Sequence, residues 1–208
     1  MSTVTEKVKE TGLICTPESV SAILEGHKTQ TRRVIRNVYS EVTPVDGVKR
    51  DCIRDLDLLP SRLDIAPDNW ELCPYGVPGE RLWVRERWRL EGGFNTSVCY
   101  FTKCFCGLNG VQGEKGWKSP RFMPKWACRI WLEITRVRVE RVQDISYDDC
   151  IAEGIVDVAR AEKRKSRPGE RPIEQFATRW EILNLPRGYG WDLNPWVWVI
   201  EFKKLEGK

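Results

Sequence analysis

Between Ala127 and Val142 the apolar residues recur at every second position, first Ile130, Leu132 and Ile134, then Val137 and Val139. That is the period of a strand with one buried face. The parity changes after Ile134, so a bulge or break is expected at Thr135-Arg136. A second run, Trp196-Val197-Trp198-Val199-Ile200-Glu201-Phe202, is the strongest strand signal in the chain. Shorter strands are expected at Leu13-Ile14-Cys15, at 81–88 and at 98–101, and an irregular excursion at about 37–69. Helical spacing is confined to short stretches. Thr16-Pro17-Glu18 carries a cap, a first-turn proline and an acid, and Gly26 suits the left-handed end of that helix. Ser146 and Asp149 have capping-box spacing before a helix that stops at Gly154. A third helix is expected from Ile173 to Leu183, with Phe176, Trp180 and Leu183 as its inner stripe. Strands that do not alternate regularly with helices argue for an α+β fold, a small, mostly antiparallel, barrel-like domain, over a doubly wound sheet.

A chain of 208 residues suits one domain, 1–208, with insertions at about 38–69, 91–120 and 157–171. Its 34 basic and 30 acidic residues leave a net charge of +4, as compatible with a nucleic-acid partner as with an ordinary mixed surface. The polar N-terminus has no leader pattern, and no apolar run approaches the ~20 residues of a membrane span. A cytoplasmic location without membrane contact is therefore expected, with the eight cysteines reduced or bound to metal. Cys99, Cys104 and Cys106, with Cys73 as a fourth, do not have the regular knuckle spacing of zinc sites; thiols in and near a strand fit them better, and no metal or other cofactor is assigned. Cys15, Cys128 and Cys150 fall in apolar stretches and read as small hydrophobes. Composition leaves the oligomeric state open.

Chemistry concentrates just past the first helix, in Gly26-His27-Lys28-Thr29-Gln30-Thr31-Arg32-Arg33. An amine, two hydroxyls and two guanidiniums share one short connection, a place where scaffolds often carry function. The alternative is a solvated basic face. A threonine becomes a nucleophile only when a base takes its proton, and a lysine serves as that base only from its neutral form. Glu86 falls on the apolar side of its strand, where a carboxylate either pairs with an arginine or lines a cleft. Glu153, at a helix end, is either exposed or a proton donor. Arg136, Arg138 and Arg141 either contact phosphates or form a solvated strand face. Tryptophans such as Trp83, Trp88, Trp126 and Trp131 either fill the core or stack on bases. His27 reads as a cap beside a helix end.

Three motifs in combination carry a resemblance. They are the Gly-x-Lys-Thr-x-Thr-Arg-Arg turn after the first helix, the long strand leading to Ser146 and Ala152-Glu153-Gly154, and the closing Trp-Val-Ile-Glu-Phe strand. The stretch Cys-Pro-Tyr-Gly-x-Pro-Gly-x-x-Leu-Trp-Val-Arg-Glu, here Cys73 to Glu86, adds to them. Together they resemble the ASCH domains, a branch of the PUA-like fold, and most of all the longer versions in bacteriophages and prophages. The resemblance covers about residues 12–37, 70–90, 120–155 and 172–204. It implies a β-barrel whose cleft takes a modified nucleoside or RNA. A small bacterial member is an amidohydrolase that removes the acetyl group from N4-acetylcytidine without a cofactor. Carried over, Lys28 is the proton acceptor, Thr31 the nucleophile and Glu153 the proton donor. Thr29, Arg32, Arg33, Glu86 and Trp88 then become candidate substrate-binding residues. A PUA-like binding module for RNA or modified nucleic acid, without turnover, is the alternative.

Overall fold

A computed structural model describes residues 8–36, 38–42, 49–53, 73–91, 97–103, 116–156 and 172–206. The insertions expected at about 38–69, 91–120 and 157–171 lie largely outside these residues, as do Cys104 and Cys106. The fold is mixed, a mostly antiparallel sheet with a few short helices. Five strands are hydrogen-bonded in the order β1 (Glu10–Ile14), β5 (Arg81–Arg85), β8 (Trp131–Arg141), β9 (Trp196–Lys204), β2 (Gln30–Val34). β1 runs parallel to β5, whereas β5–β8 and β2–β9 are antiparallel. No helix among the described residues is long and apolar enough to cross a membrane.

The chain divides into two compact units. The first comprises Met1–Thr29, Pro74–Thr135 and Phe202–Lys208; the second comprises Gln30–Cys73 and Arg136–Glu201.

In the first unit, α1 (Pro17–Leu24) begins as its sequence dictates: the Thr16 hydroxyl accepts from the Ser19 amide at 3.3 Å, and Pro17 loses no helical hydrogen bond. Gly26 leaves the helix at φ +78°, a conformation that costs a side-chain-bearing residue energy. Leu13, Val20, Leu82, Val84 and Leu132 are fully buried. The strand expected over 81–88 is instead two, β5 and β6 (Trp88–Glu91), interrupted at Glu86-Arg87. The cause is local. The Glu86 amide donates to the Met123 sulfur at 3.3 Å, and the Arg87 carbonyl accepts from the Phe101 amide at 3.1 Å. β6 pairs with β7 (Ser97–Tyr100) in a separate two-stranded sheet.

In the second unit, α2 (Tyr147–Ala152) carries the expected capping box, the Asp149 amide donating to Ser146 Oγ at 3.1 Å and the Ser146 amide to Asp149 Oδ2 at 3.4 Å. Glu153 caps its end and Gly154 turns away at φ 82°. α3 (Pro172–Asn184) packs Phe176 and Trp180 onto a core of Val142, Ile145, Cys150, Ile155, Val197 and Val199. Leu183, expected on the inner stripe, is 45% exposed. The buried contact ends one turn earlier, at Trp180, whose indole N–H donates to the Tyr189 carbonyl at 2.8 Å. The excursion read as irregular contains an antiparallel pair, β3 (Val38–Val42) and β4 (Lys49–Ile53). Its short strands carry little apolar alternation, so the reading by periodicity passed over them.

The irregularity expected at Thr135-Arg136 falls where the units divide. Leu132 and Ile134 are buried, Thr135 and Arg136 are both exposed, and burial resumes at Val137 and Val139.

Candidate functional site

β2 is unusual for an outer strand, because Gln30, Thr31 and Arg32 are all buried. Successive residues of a strand face opposite ways. Gln30 and Arg32 therefore share one face, with Glu201 and Val199 opposite them on β9. Thr31 and Arg33 share the other, opposite Ile200 and Trp198.

The Arg32 face holds a closed ionic network. The Arg32 side chain is 1% exposed. Its Nε donates to Glu140 Oε1 at 3.1 Å, its Nη2 to Asp149 Oδ2 at 3.1 Å and also to Glu140 Oε1, and its Nη1 to Glu153 Oε1 at 3.4 Å. Arg138 takes the other oxygens of the same two acids, Glu140 Oε2 at 3.1 Å and Asp149 Oδ1 at 2.8 Å, and also binds Glu201. Glu140 and Asp149 thus each bridge two guanidiniums. The planar fork of arginine suits this, because its donors are fixed in the geometry that carboxylates accept. The Phe176 ring lies 5.7 Å from the Arg32 guanidinium carbon and closes another side.

This bears on two expectations. Arg32 was a candidate for holding a substrate anion, yet its donors go to three carboxylates. Arg138 was a candidate phosphate contact and is committed to the same network. Of the paired arginines after Thr31, Arg33 is the one on the threonine's own face. Glu140 and Gln30 were not singled out from the sequence, and Asp149 was read only as a cap. One signal did exist: Arg138 and Glu140 are two apart in a strand and so share a face.

Asp149 responds to this setting. Partial burial pushes its carboxyl up, but the Arg32 and Arg138 guanidiniums outweigh that and hold it down at about 2, below its ordinary 3.8. A carboxyl whose pKa is lower in the folded state stabilises the fold above its unfolded pKa and ceases to do so as acid protonates it. The stability gap between the wild type and Asp149→Asn is therefore expected to stay constant at neutral pH and narrow as pH falls from about 3.8 toward about 2. Urea midpoints measured across that window test this; a gap that does not narrow contradicts it. The neighbouring Cys150 is fully buried, and burial pushes its thiol up to about 12, which fits a packing role.

The remaining candidates lie as follows. Lys28 is 6% exposed and belongs to the first unit, where its amide donates to the Ala22 carbonyl at 3.0 Å. Thr29 is exposed, and its carbonyl accepts from the Phe202 amide at 2.8 Å. In the second unit Glu153 is drawn to β2 by Arg32, the strand neighbour of Thr31, while the Thr31 side chain leaves the strand on the opposite face. Glu86 resolves toward its structural alternative. It is 2% exposed and gripped by Arg129 through both oxygens, Nε to Oε1 at 2.9 Å and Nη2 to Oε2 at 2.8 Å, while the Thr102 hydroxyl donates to Oε2 at 3.1 Å. Trp88, a candidate stacking platform, is 4% exposed and packs with Met123 and Ala127, its ring covered by Lys118 at 5.0 Å. Arg141 lies 4.1 Å over the Trp196 ring. Among the described residues no group of three acidic, histidine or cysteine side chains is arranged to hold a metal ion.

Comparison with protein-family models, with curated proteins and with solved structures finds no match for this chain.

Proposed function

We propose that the chain is a cytoplasmic PUA-like protein that hydrolyses the amide joining an acyl group to the exocyclic amine of a cytosine nucleoside or a related base. In this reading Lys28 takes the Thr31 hydroxyl proton and Thr31 Oγ1 attacks the acyl carbon. Glu153 protonates the departing amine as the C–N bond breaks, and water then releases the acyl group from Thr31. Arg33, on the face of Thr31, is assigned to the developing oxyanion.

One observation carries the reading. Of the six buried polar or charged residues among those described, five are Lys28, Gln30, Thr31, Arg32 and Glu153. Burying such groups is costly, and a fold tolerates that concentration where the groups are used. Three of the five, Gln30, Arg32 and Glu153, take part in the ionic network. Lys28, Thr31 and Glu153 are the three that the ASCH resemblance singles out.

The test is incubation with N4-acetylcytidine and chromatography for cytidine. The wild type is expected to release cytidine. Lys28→Ala and Thr31→Ala should each slow the release by roughly 100-fold or more, the scale of a lost general base or nucleophile. A folded wild-type protein that yields no cytidine refutes the hydrolase. If the intact nucleoside still binds, the protein is a reader without turnover.

A further inference from the structure

We propose that the segment from Lys118 to Ala127, in the first unit, is a docking face for single-stranded nucleic acid. This inference does not rest on the hydrolase reading and involves none of its residues.

Phe122 is 74% exposed and Trp126 is 68% exposed, the two largest exposures among the large hydrophobic residues described in this unit. Single exposed apolar residues are ordinary; two large rings four positions apart on a braced loop are less so. The bracing is specific. Each ring sits on a 3-10 turn, Pro120–Phe122 or Lys125–Ala127. The residue following each ring, Met123 or Ala127, is 2% exposed and packs with Trp88 in one buried cluster. Arg85 ties the loop down from β5, its Nε donating to the Pro120 carbonyl at 3.0 Å and its Nη2 to the Arg121 carbonyl. The rings are thus held outward by a loop whose ordering entropy is already spent before any ligand arrives.

The charge within the segment has one sign. Lys118, Arg121 and Lys125 interleave with the rings and are exposed, and no acidic residue occurs between Gly116 and Leu132. Lys125 also pairs with Glu10, so Lys118 and Arg121 are the cations best placed for phosphates. A cationic surface set with outward aromatic rings fits a strand whose phosphates meet the cations and whose unpaired bases stack on the rings. A duplex hides its base faces and would use only the charge. An anionic membrane would take rings and cations too, but insertion draws on continuous apolar surface, and the residue after each ring is buried.

The test is fluorescence anisotropy with labelled oligouridine and oligothymidine of about twelve nucleotides, a length within the range of single-strand sites. A duplex of equal length, heparin and phosphatidylserine vesicles serve as comparisons. Both single strands are expected to bind, more weakly as salt rises. The double variant Phe122→Ala, Trp126→Ala should lose affinity about tenfold or more for both strands, as expected from stacking, with its thermal midpoint unchanged. Lys118→Glu with Arg121→Glu should weaken binding and flatten its salt dependence. A preference for one strand identifies RNA or DNA as the natural ligand. The proposal fails if neither strand binds, if the ring variant binds as the wild type does, or if duplex and heparin compete as well as single strands. It fails also if only the vesicles bind.

Discussion

Arg32→Met should remove about 3–5 kcal/mol of stability, the usual cost of deleting one partner from a buried ion pair. Domains of this size are stable by only ~5–15 kcal/mol, so the loss is a large share of the whole. The expected size follows from what the variant leaves behind. Glu140, Asp149 and Glu153 all bind the Arg32 guanidinium, whose side chain is 1% exposed. Without it, Arg138 alone faces Glu140, Asp149 and Glu201. Glu153 loses its tie to β2 at the same time. Arg32→Lys should fall between, because an ammonium keeps the charge but cannot reach three carboxylates from a planar fork. Urea denaturation of the three proteins gives the order directly. A change below about 1 kcal/mol for Arg32→Met, the scale of an exposed pair, would return Arg32 to the ligand-binding role that its sequence first suggested.

Glu86→Ala should be comparably severe in the first unit. Its carboxylate is 2% exposed, and Arg129 is bound to both of its oxygens. The guanidinium would keep the Thr102 hydroxyl at 2.7 Å and the Tyr100 ring at 4.1 Å, neither of which balances its charge. A loss of about 3–5 kcal/mol is expected. The pair Glu86→Leu with Arg129→Met should lose less than Glu86→Ala alone, since it buries no unmatched charge. Thermal unfolding of the single and double variants completes the cycle. If the double variant is as unstable as the sum of its parts, the two groups do not act as a pair. The same site holds the Tyr100 phenol above its ordinary pKa, chiefly through burial, with Arg129 opposing the shift.

The two arginine clusters show why parts of this protein are legible in its sequence and parts are not. Helix ends were readable because caps are local: Thr16, Pro17 and Gly26 around α1, and Ser146, Asp149 and Gly154 around α2, act within a few residues of chain. The irregularity in β8 was readable for the same reason, since a change of parity at Thr135-Arg136 is written in consecutive residues. The break at Glu86-Arg87 was not, because it depends on Met123 and Phe101, which the chain brings back from 37 and 14 residues away. Of the candidate site, the sequence marked Lys28 and Thr31 by the crowding of their turn, took the roles of Lys28, Thr31 and Glu153 from a resemblance, and could not tell that Arg32 is committed to the fold.

By itself, then, the order of residues determined the two long strands, the capped helix ends, the mostly antiparallel character of the sheet, and a turn crowded with an amine, hydroxyls and guanidiniums. Only the tertiary structure decided which charges are partners. Arg32 meets Asp149 and Glu153 across separations of 117 and 121 residues, and Glu86 meets Arg129 across 43. Local propensity acts over a turn of helix or a strand pair, whereas an ionic contact depends on where distant segments are packed. A guanidinium in the sequence therefore carries no mark of whether it will face a ligand or a carboxylate.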